Sequence, residues 1–139
     1  MANMKSLVCA ACVGVATAIA MPVAAQNRLE TITPEFEQAI PNIPGKSLVA
    51  IVVDYAPGGS SPAHKHAESA FIFAYVLSGE IESQVNDGPR RVYRAGESWY
   101  EPPGSHHPVS RNASATEPAK LLAIFVVDSN DKPLTTPVN

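Results

Sequence analysis

Residues 96–107 read Gly-Glu-Ser-Trp-Tyr-Glu-Pro-Pro-Gly-Ser-His-His. A short run of strand-forming residues, 98–101, lies between two turn signals, Ala-Gly at 95–96 and Pro-Pro-Gly at 102–104. Two adjacent histidines follow the second turn. The stretch therefore predicts a short strand that ends in a tight turn and places imidazole groups directly after it.

Short runs of β-branched and apolar residues separated by turn residues continue on both sides of this stretch. Strands are predicted over residues 47–55, 70–77, 80–85, 90–94, 98–101 and 120–127. The sequence has no long helical period, no internal repeat and no second hydrophobic core. It therefore predicts a single all-β domain, either an antiparallel sandwich or a barrel.

The four histidines fall in two places, His64-Lys65-His66 and His106-His107. Residues two apart in a strand point to the same face, so His64 and His66 can present two imidazoles to one point. Adjacent residues cannot do so, and we expect only one of His106 and His107 to face inward. Three imidazoles from two strands are a common way to hold a catalytic divalent metal while leaving positions open.

Residues 59–66 with Gly79, together with residues 96–107, resemble the two motifs of the cupin superfamily. The resemblance covers roughly residues 47–127. Motif two fits in full at Gly96, Pro102, Gly104 and His107. The resemblance implies a single-domain, cupin-type (RmlC-like) jelly-roll β-barrel with a metal ion in its mouth. It also implies the ligands, which would be His64, His66 and His107.

Motif one departs from the family pattern at its glutamate. Counting back seven residues from Gly79 gives Ile72, so an aliphatic side chain stands where the carboxylate ligand is usual. We favour water as the fourth ligand, with Glu101 and Glu68 as weaker candidates. Three neutral imidazoles leave the bound ion at a charge of about +2, which favours an anionic ligand.

The barrel that the resemblance implies would have an interior lined by alternating strand residues. Candidate pocket walls are Ile72, Ala74, Val76, Trp99 or Tyr100, and Phe125. Polar contacts to a ligand could come from Tyr75, Tyr55, Gln84 and Arg94. For most of these residues an ordinary core or rim position is the better interpretation.

Residues 1–25 have the pattern of a secretory signal peptide, with a positive start at Lys5, an apolar run and small residues up to Ala25. A membrane anchor is the alternative, but the run is shorter than the roughly 20 residues that span a bilayer. Both cysteines, Cys9 and Cys12, lie in this leader, so thiolate chemistry is excluded from the processed protein. We expect a periplasmic or secreted protein with no membrane association after cleavage.

The rest of the 139 residues is enough for one domain. We expect an irregular arm over residues 26–46 with at most one short helix, a barrel over 47–127 and a polar tail over 128–139. With 13 acidic against 10 basic side chains and a formal charge of -3, there is no footprint for nucleic acid. A small-molecule ligand or substrate is the expected partner, and the family resemblance makes a homodimer the default assembly.

Three functions are compatible with these features. The first is a metal-dependent enzyme of the oxygenase or isomerase type that acts on a small polar or anionic molecule, with Glu101 or Tyr75 as weak candidates for proton transfer. The second is a non-catalytic cupin that binds a metal or small ligand. The third is a metal-free barrel that binds a sugar or acid directly. The metal could be Zn, Fe, Mn, Ni or Cu, and no organic cofactor site is predicted.

Overall fold

The computed structural model describes residues 29–138, so the predicted leader over residues 1–25 lies outside the described part of the chain. Within residues 29–138 the chain forms strands and no helix. The strands are β1 Glu30–Ala39, β2 Lys46–Tyr55, β3 His64–His66, β4 Phe71–Ser78, β5 Glu80–Gln84, β6 Arg91–Arg94, β7 Ser98–Glu101, β8 His106–His107, β9 Val109–Asn112, β10 Ala119–Asp128 and β11 Thr135–Pro137. No helix among these residues is long and apolar enough to cross a membrane.

The strands form three antiparallel sheets. A five-stranded sheet has the order β1-β2-β10-β4-β7, and two three-stranded sheets have the orders β11-β3-β8 and β6-β5-β9. Most strands that are neighbours in these sheets are not consecutive in the chain, as in a jelly roll. The all-β, cupin-type jelly-roll barrel predicted from the sequence is confirmed.

The core lies between the five-stranded sheet and the two smaller sheets. Strand β10 alternates strictly between buried and half-buried residues, and its buried positions face inward. The inward side chains of the five-stranded sheet meet Ile81 of β5 across the interior, and both Ile81 and Val76 are fully buried. The second half of the core surrounds Phe125 and Ile72. This second half is next to the histidines.

All six strands predicted from the sequence are present, with ends that differ by one residue at most. The remaining strands are harder to detect. Strands β3, β8, β9 and β11 have two to four residues each, too few to show an alternating pattern.

The expectation of an irregular arm over residues 26–46 with at most a short helix was wrong. Residues Glu30–Ala39 form β1, which pairs antiparallel with the whole of β2 at the edge of the large sheet. Pro34 favoured a helix start in the sequence, but an edge strand also accepts a proline. The pairing register shifts between Pro34 and Phe36, which accommodates the irregularity as a bulge.

The segment after β10 is not a free tail in this structure. Strand β11 pairs with β3, with Thr135 opposite His66 and Pro137 opposite His64. The backbone of Ala67 also donates a hydrogen bond to the carbonyl of Leu134. The C-terminal segment therefore stabilises the short strand that carries two of the four histidines.

Candidate metal centre

The pairing of β3 with β8 brings the histidines together. His64 is directly opposite His107, and Lys65 is opposite His106. Because opposite residues in a ladder share a face, His107 joins His64 and His66 on the inner side, while His106 joins Lys65 on the outer side. Burial agrees with this placement, since His66 and His107 are buried and His106 is exposed.

The three inner histidines offer ring nitrogens that all lie within 4.8 Å of one another and could hold a metal ion. The ring centroids are 4.7 Å apart for His64 and His66, 5.1 Å for His64 and His107, and 5.8 Å for His66 and His107. His66 also packs edge-on against Phe125, which restricts its ring. The sequence-predicted ligand triad is therefore brought together at one point of the interior.

Hydrogen bonds orient two of these rings. Nδ1 of His64 is 2.8 Å from the carbonyl oxygen of Pro62, so Nδ1 carries the proton and donates it, and Nε2 keeps a free lone pair. Nε2 of His107 lies 2.9 Å from the hydroxyl of Ser83. That contact leaves Nδ1 of His107 as the ring atom available to the cluster.

Burial keeps the imidazoles of His64 and His107 neutral, which is the form that binds metals. Desolvation lowers the pKa of His107 from its usual value of 6.5 to about 4. Desolvation also lowers the pKa of His64, against the opposing effect of its hydrogen bond to Pro62. Both rings therefore carry a lone pair at neutral pH.

A buried carboxylate completes the cluster. Glu101, at the end of β7, is 2% exposed; its Oε2 lies 2.9 Å from Nε2 of His66 and its Oε1 lies 3.3 Å from Nδ1 of His107. The indole N–H of Trp99 donates a hydrogen bond to Oε1 over 3.1 Å. Burial raises the pKa of the Glu101 carboxyl, but the contact with His66, the nearby His107 and the Trp99 hydrogen bond together lower it below the usual value.

Three buried polar atoms of this cluster have no hydrogen-bond partner within residues 29–138. They are both ring nitrogens of His66 and Oε2 of Glu101. The 2.9 Å contact between Nε2 and Oε2 lacks hydrogen-bond geometry, although the two atoms are close. Unsatisfied buried polar atoms are rare because they are costly, and a cation placed between Nε2 of His66 and Oε2 of Glu101 would satisfy these two. The three imidazoles fit a divalent transition metal, and Glu101 contacts two of them.

The cluster lines a cavity of about 130 Å³ in the barrel interior. The opposite walls are mostly aliphatic, from Ile51, Val53, Ile72, Ala74, Leu121, Ala123 and Phe125. A dry cavity of roughly this size accepts a molecule as large as benzene. The space beside the histidines therefore suits a small ligand.

A group of hydroxyls gives the cavity one polar wall. The phenol oxygen of Tyr55 lies 2.7 Å from the hydroxyl of Ser61 and 2.9 Å from that of Ser110. Ser61 in turn donates a hydrogen bond to the carboxylate of Glu30 on β1. Burial raises the pKa of Tyr55 to about 12, so this phenol stays protonated.

The amino-acid pattern also matches a known family. The sequence model of the cupin domain matches residues 51–125, more than half of the chain. The chain belongs to the cupin family. This cupin is 31% identical over 93 residues to the germin-like protein subfamily 2 member 2 of Arabidopsis thaliana, covering 62% of this chain and 41% of the relative.

Two further comparisons extend this likeness. The cupin-domain-containing oxidoreductase fogC of Aspergillus ruber is 26% identical over 83 residues, covering 60% of this chain and 39% of the relative. A solved structure of recombinant oxalate oxidase in complex with glycolate superposes with a TM-score of 0.61 at 25% identity, covering 81% of this chain and 57% of the other. This cupin spans about two fifths of the length of the curated relatives it matches.

Two of the weaker candidates from the sequence lie away from the site. Glu68 is not at the cavity; its side chain is 75% exposed and pairs with Lys65, because the turn after β3 points outward. Tyr75 occupies the outer face of β4 and stacks on Phe73, since it alternates with the inward Ala74. We therefore drop Glu68 as a ligand candidate and Tyr75 as a proton-transfer candidate.

Some of the candidate wall and polar-contact residues line the cavity, and the others lie outside it. Ile72, Ala74 and Phe125 line the cavity of this cupin, and Tyr55 belongs to its polar wall. Val76 and Trp99 are buried in the core, whereas Tyr100 is 65% exposed on the outer face of the sheet. Gln84 and Arg94 bond to Gly88 and Glu80 outside the cavity.

Sequence reasoning missed Ser61, Ser83, Ser110 and Glu30. Serine at an inward strand position was the one available signal, since Ser83 alternates with half-buried neighbours in step with the buried Ile81. The pairing of Ser61 with Glu30 depends on strand β1, which the sequence did not predict.

Proposed function

We propose that this cupin is an exported protein that binds a divalent transition metal through His64, His66 and His107. The observation that carries the proposal is the set of unpartnered buried atoms, Nε2 of His66 and Oε2 of Glu101, beside two imidazoles that burial keeps neutral. Such a set is costly without a cation and favourable with one. The metal-free sugar or acid barrel is disfavoured for the same reason.

We propose further that the site acts on a small polar or anionic molecule, as an enzyme of the oxygenase or isomerase type. A divalent ion bound there supplies a Lewis acid that polarises an oxygen of the bound molecule, or activates O2 if the ion is iron. The likeness to an oxalate oxidase solved with glycolate, a small carboxylate, supports this ligand class. The likeness to a cupin-domain-containing oxidoreductase supports the oxygenase type of reaction.

The residues that line the cavity would have three separate roles. The apolar wall, which includes Leu121 and Phe125, excludes water from the ligand. The hydroxyls of Tyr55 and Ser110 offer hydrogen bonds to its polar end. Ser61 connects this wall to Glu30, a carboxylate that can accept a proton near the rim.

A non-catalytic binding protein is the alternative. It is favoured because few ionisable groups in the cavity are available for proton transfer. Glu101 contacts His66 and His107, and the phenol of Tyr55 stays protonated. Among the described lining residues, this leaves Glu30 as the carboxylate free for proton transfer.

The test is the metal content of the protein expressed from its full sequence and purified without affinity-tag histidines. Elemental mass spectrometry should find close to one equivalent of a transition metal. His64→Ala should lose most of it, whereas His106→Ala, in the paired strand but facing outward, should keep it. Protein that contains no metal and binds none of Zn, Fe(II), Mn, Ni or Cu on reloading would overturn the proposal. Screening small carboxylates for turnover then separates the enzyme from the binding protein.

Export is proposed from the leader alone. Mass spectrometry of protein secreted by an expressing cell should give a chain that begins at Gln26, after cleavage following Ala25. Retention of residues 1–25 on the protein would contradict it.

We propose a homodimer that forms through the outer face of the five-stranded sheet. This face exposes Phe36, Phe71, Phe73, Leu77 and Tyr100. Five strands about 4.8 Å apart and several residues long present roughly 600 to 800 Å², close to the roughly 800 Å² per partner of a standard interface. A second copy is the occupant that such a patch fits, because an isologous contact pairs the same apolar surface with itself.

A further inference from the structure

We propose that Glu101 is the carboxylate ligand of the metal centre, moved from strand β4 to the neighbouring strand β7. The inference deepens the proposed metal site and depends on it. It concerns the one place where the sequence departs from motif one, the aliphatic Ile72 at the position of the usual glutamate.

Strand pairing supports the relocation. Ile72 of β4 is directly opposite Glu101 of β7, and both side chains face the interior. Side chains of opposite residues start from Cβ atoms only about 5 Å apart. A carboxylate on β7 therefore reaches the same part of the cavity as one on β4 would. The cross-strand neighbour supplies the group that Ile72 lacks.

The distances match two ligands of a common ion. Ligand atoms bound at about 2.1 Å lie about 3.0 Å apart at a right angle and about 3.4 Å apart at a tetrahedral angle. Oε2 of Glu101 is 2.9 Å from Nε2 of His66, and Oε1 is 3.3 Å from Nδ1 of His107. The first of these contacts lacks hydrogen-bond geometry and leaves both of its atoms unpartnered.

The carboxylate of Glu101 has no lysine or arginine partner within residues 29–138 to balance its charge. The carboxylate is buried, and within residues 29–138 its ion-pair contacts are to His66 and His107, with no lysine or arginine. Trp99 donates a hydrogen bond to Oε1 and orients the group, while Oε2 stays free towards the histidines. A buried carboxylate without a cation is costly.

The assignment changes the charge of the site. Three imidazoles alone leave a divalent ion at about +2, and one carboxylate lowers this to about +1. Glu101 then moderates the attraction for an anionic ligand and leaves room for one anionic oxygen donor. The water that the sequence favoured as a fixed fourth ligand is replaced by a protein group.

Glu101→Gln tests the assignment, because the amide has the same shape and its oxygen can still accept the Trp99 hydrogen bond. Glu68→Gln is the matched control, since it removes an equal charge two residues from His66 at an exposed site. Zinc affinity is measured by competition with a chelator, and the ligand field by the visible spectrum of Co²⁺-loaded protein. Glu101→Gln should bind zinc at least about tenfold more weakly with a shifted Co²⁺ spectrum, and Glu68→Gln should match the wild type.

Wild-type zinc affinity and an unchanged Co²⁺ spectrum in Glu101→Gln would overturn the role of Glu101 while leaving the three-histidine site intact. Absence of zinc binding in the wild type would instead overturn the metal site itself, and this inference with it. The two failures are therefore distinguishable in one experiment.

A positional swap gives an independent test. Glu101→Ile alone removes the carboxylate, and the double variant Ile72→Glu with Glu101→Ile returns it to β4. Both proteins lack the partner of the Trp99 indole, so their comparison isolates the carboxylate. The double variant should bind zinc at least about tenfold more tightly than Glu101→Ile; equal affinities would contradict the equivalence of the two positions.

Discussion

The hydroxyl of Ser83 lies 2.9 Å from Nε2 of His107, and both side chains are buried. The contact occupies one ring nitrogen of His107 and directs the other, Nδ1, towards Glu101 and the remaining histidines. Partners of this kind fix the tautomer and orientation of a metal-binding imidazole, and their loss typically costs 10- to 100-fold in metal affinity.

We predict that Ser83→Ala weakens zinc binding about tenfold without a large loss of fold, because the serine contacts the ring and not the metal position. Chelator competition measures the effect. Ser47→Ala is the control, since Ser47 is also buried but bonds through its hydroxyl to Ser129 and not to a histidine. Equal zinc affinity of the two variants would show that Ser83 does not orient His107.

The metal-free protein should lose stability on mild acidification. The pKa of His107 is about 4 in the folded protein against about 6.5 in an unfolded chain. Below pH 6.5 the unfolded chain therefore takes up a proton that the folded protein does not, and the free energy of unfolding falls as the pH drops towards 4. The full difference for this one group is on the order of 3 kcal/mol.

Two neighbouring groups act in the same direction. The lowered pKa of His64 adds to the loss below its usual value. The lowered pKa of Glu101 gives a stabilisation that is present above the usual carboxyl pKa and is lost as the pH falls through the folded value. Urea unfolding in a chelator at pH 7, 5.5 and 4.5 measures the trend. His107→Gln should show a shallower decline, and a pH-independent wild type would contradict the assignment.

The strands of the barrel were predictable because they follow from local periodicity. Strand β4 alternates Ile72, Ala74 and Val76 inward with aromatic residues outward, so its type and faces are visible in the sequence. The spacing of His64 and His66 predicted that these two share a face, and the family resemblance at motif two added His107 as the third candidate ligand, without any knowledge of strand pairing.

The remaining features depend on the pairing register between strands that are distant in the chain. The periodicity of a single strand does not predict that register. The opposition of Ile72 and Glu101 joins strands that are separated by β5 and β6 in the chain. Likewise, β1 is exposed along nine of its ten residues and so has no buried face to produce an alternating pattern. Its strand conformation follows from the hydrogen bonds to β2.

Gly79, the last residue of motif one, should be intolerant of any side chain. Its φ is +71°, and an added Cβ would lie 2.6 Å from the carbonyl oxygen of Pro118 and 2.8 Å from Ala119. Gly45 has a similar φ of +79° but open space around it. Strain in the left-handed region costs about 1 to 2 kcal/mol, and Gly79→Ala adds a backbone clash to this.

We therefore predict that Gly79→Ala lowers the free energy of unfolding by clearly more than Gly45→Ala, which should cost about 1 kcal/mol. Urea titration of both variants at pH 7 measures the difference. Equal losses would show that the turn between β4 and β5 relaxes away from Pro118, so that the close contact does not change the free energy of unfolding.

The outer face of the five-stranded sheet gives the last prediction. Phe73 is 40% exposed and lies between Tyr100 on β7 and Ile124 on β10, in the middle of the apolar face. Phe73→Glu places a charge there, and burying an unpaired charge is costly. The dimer should dissociate to monomers in sedimentation equilibrium, with zinc affinity unchanged because the side chain points away from the cavity. Val92→Glu, at an exposed apolar position on β6 in another sheet, should stay dimeric. A wild-type protein that sediments as a monomer, or a Phe73→Glu variant that stays dimeric, would exclude this face as the interface.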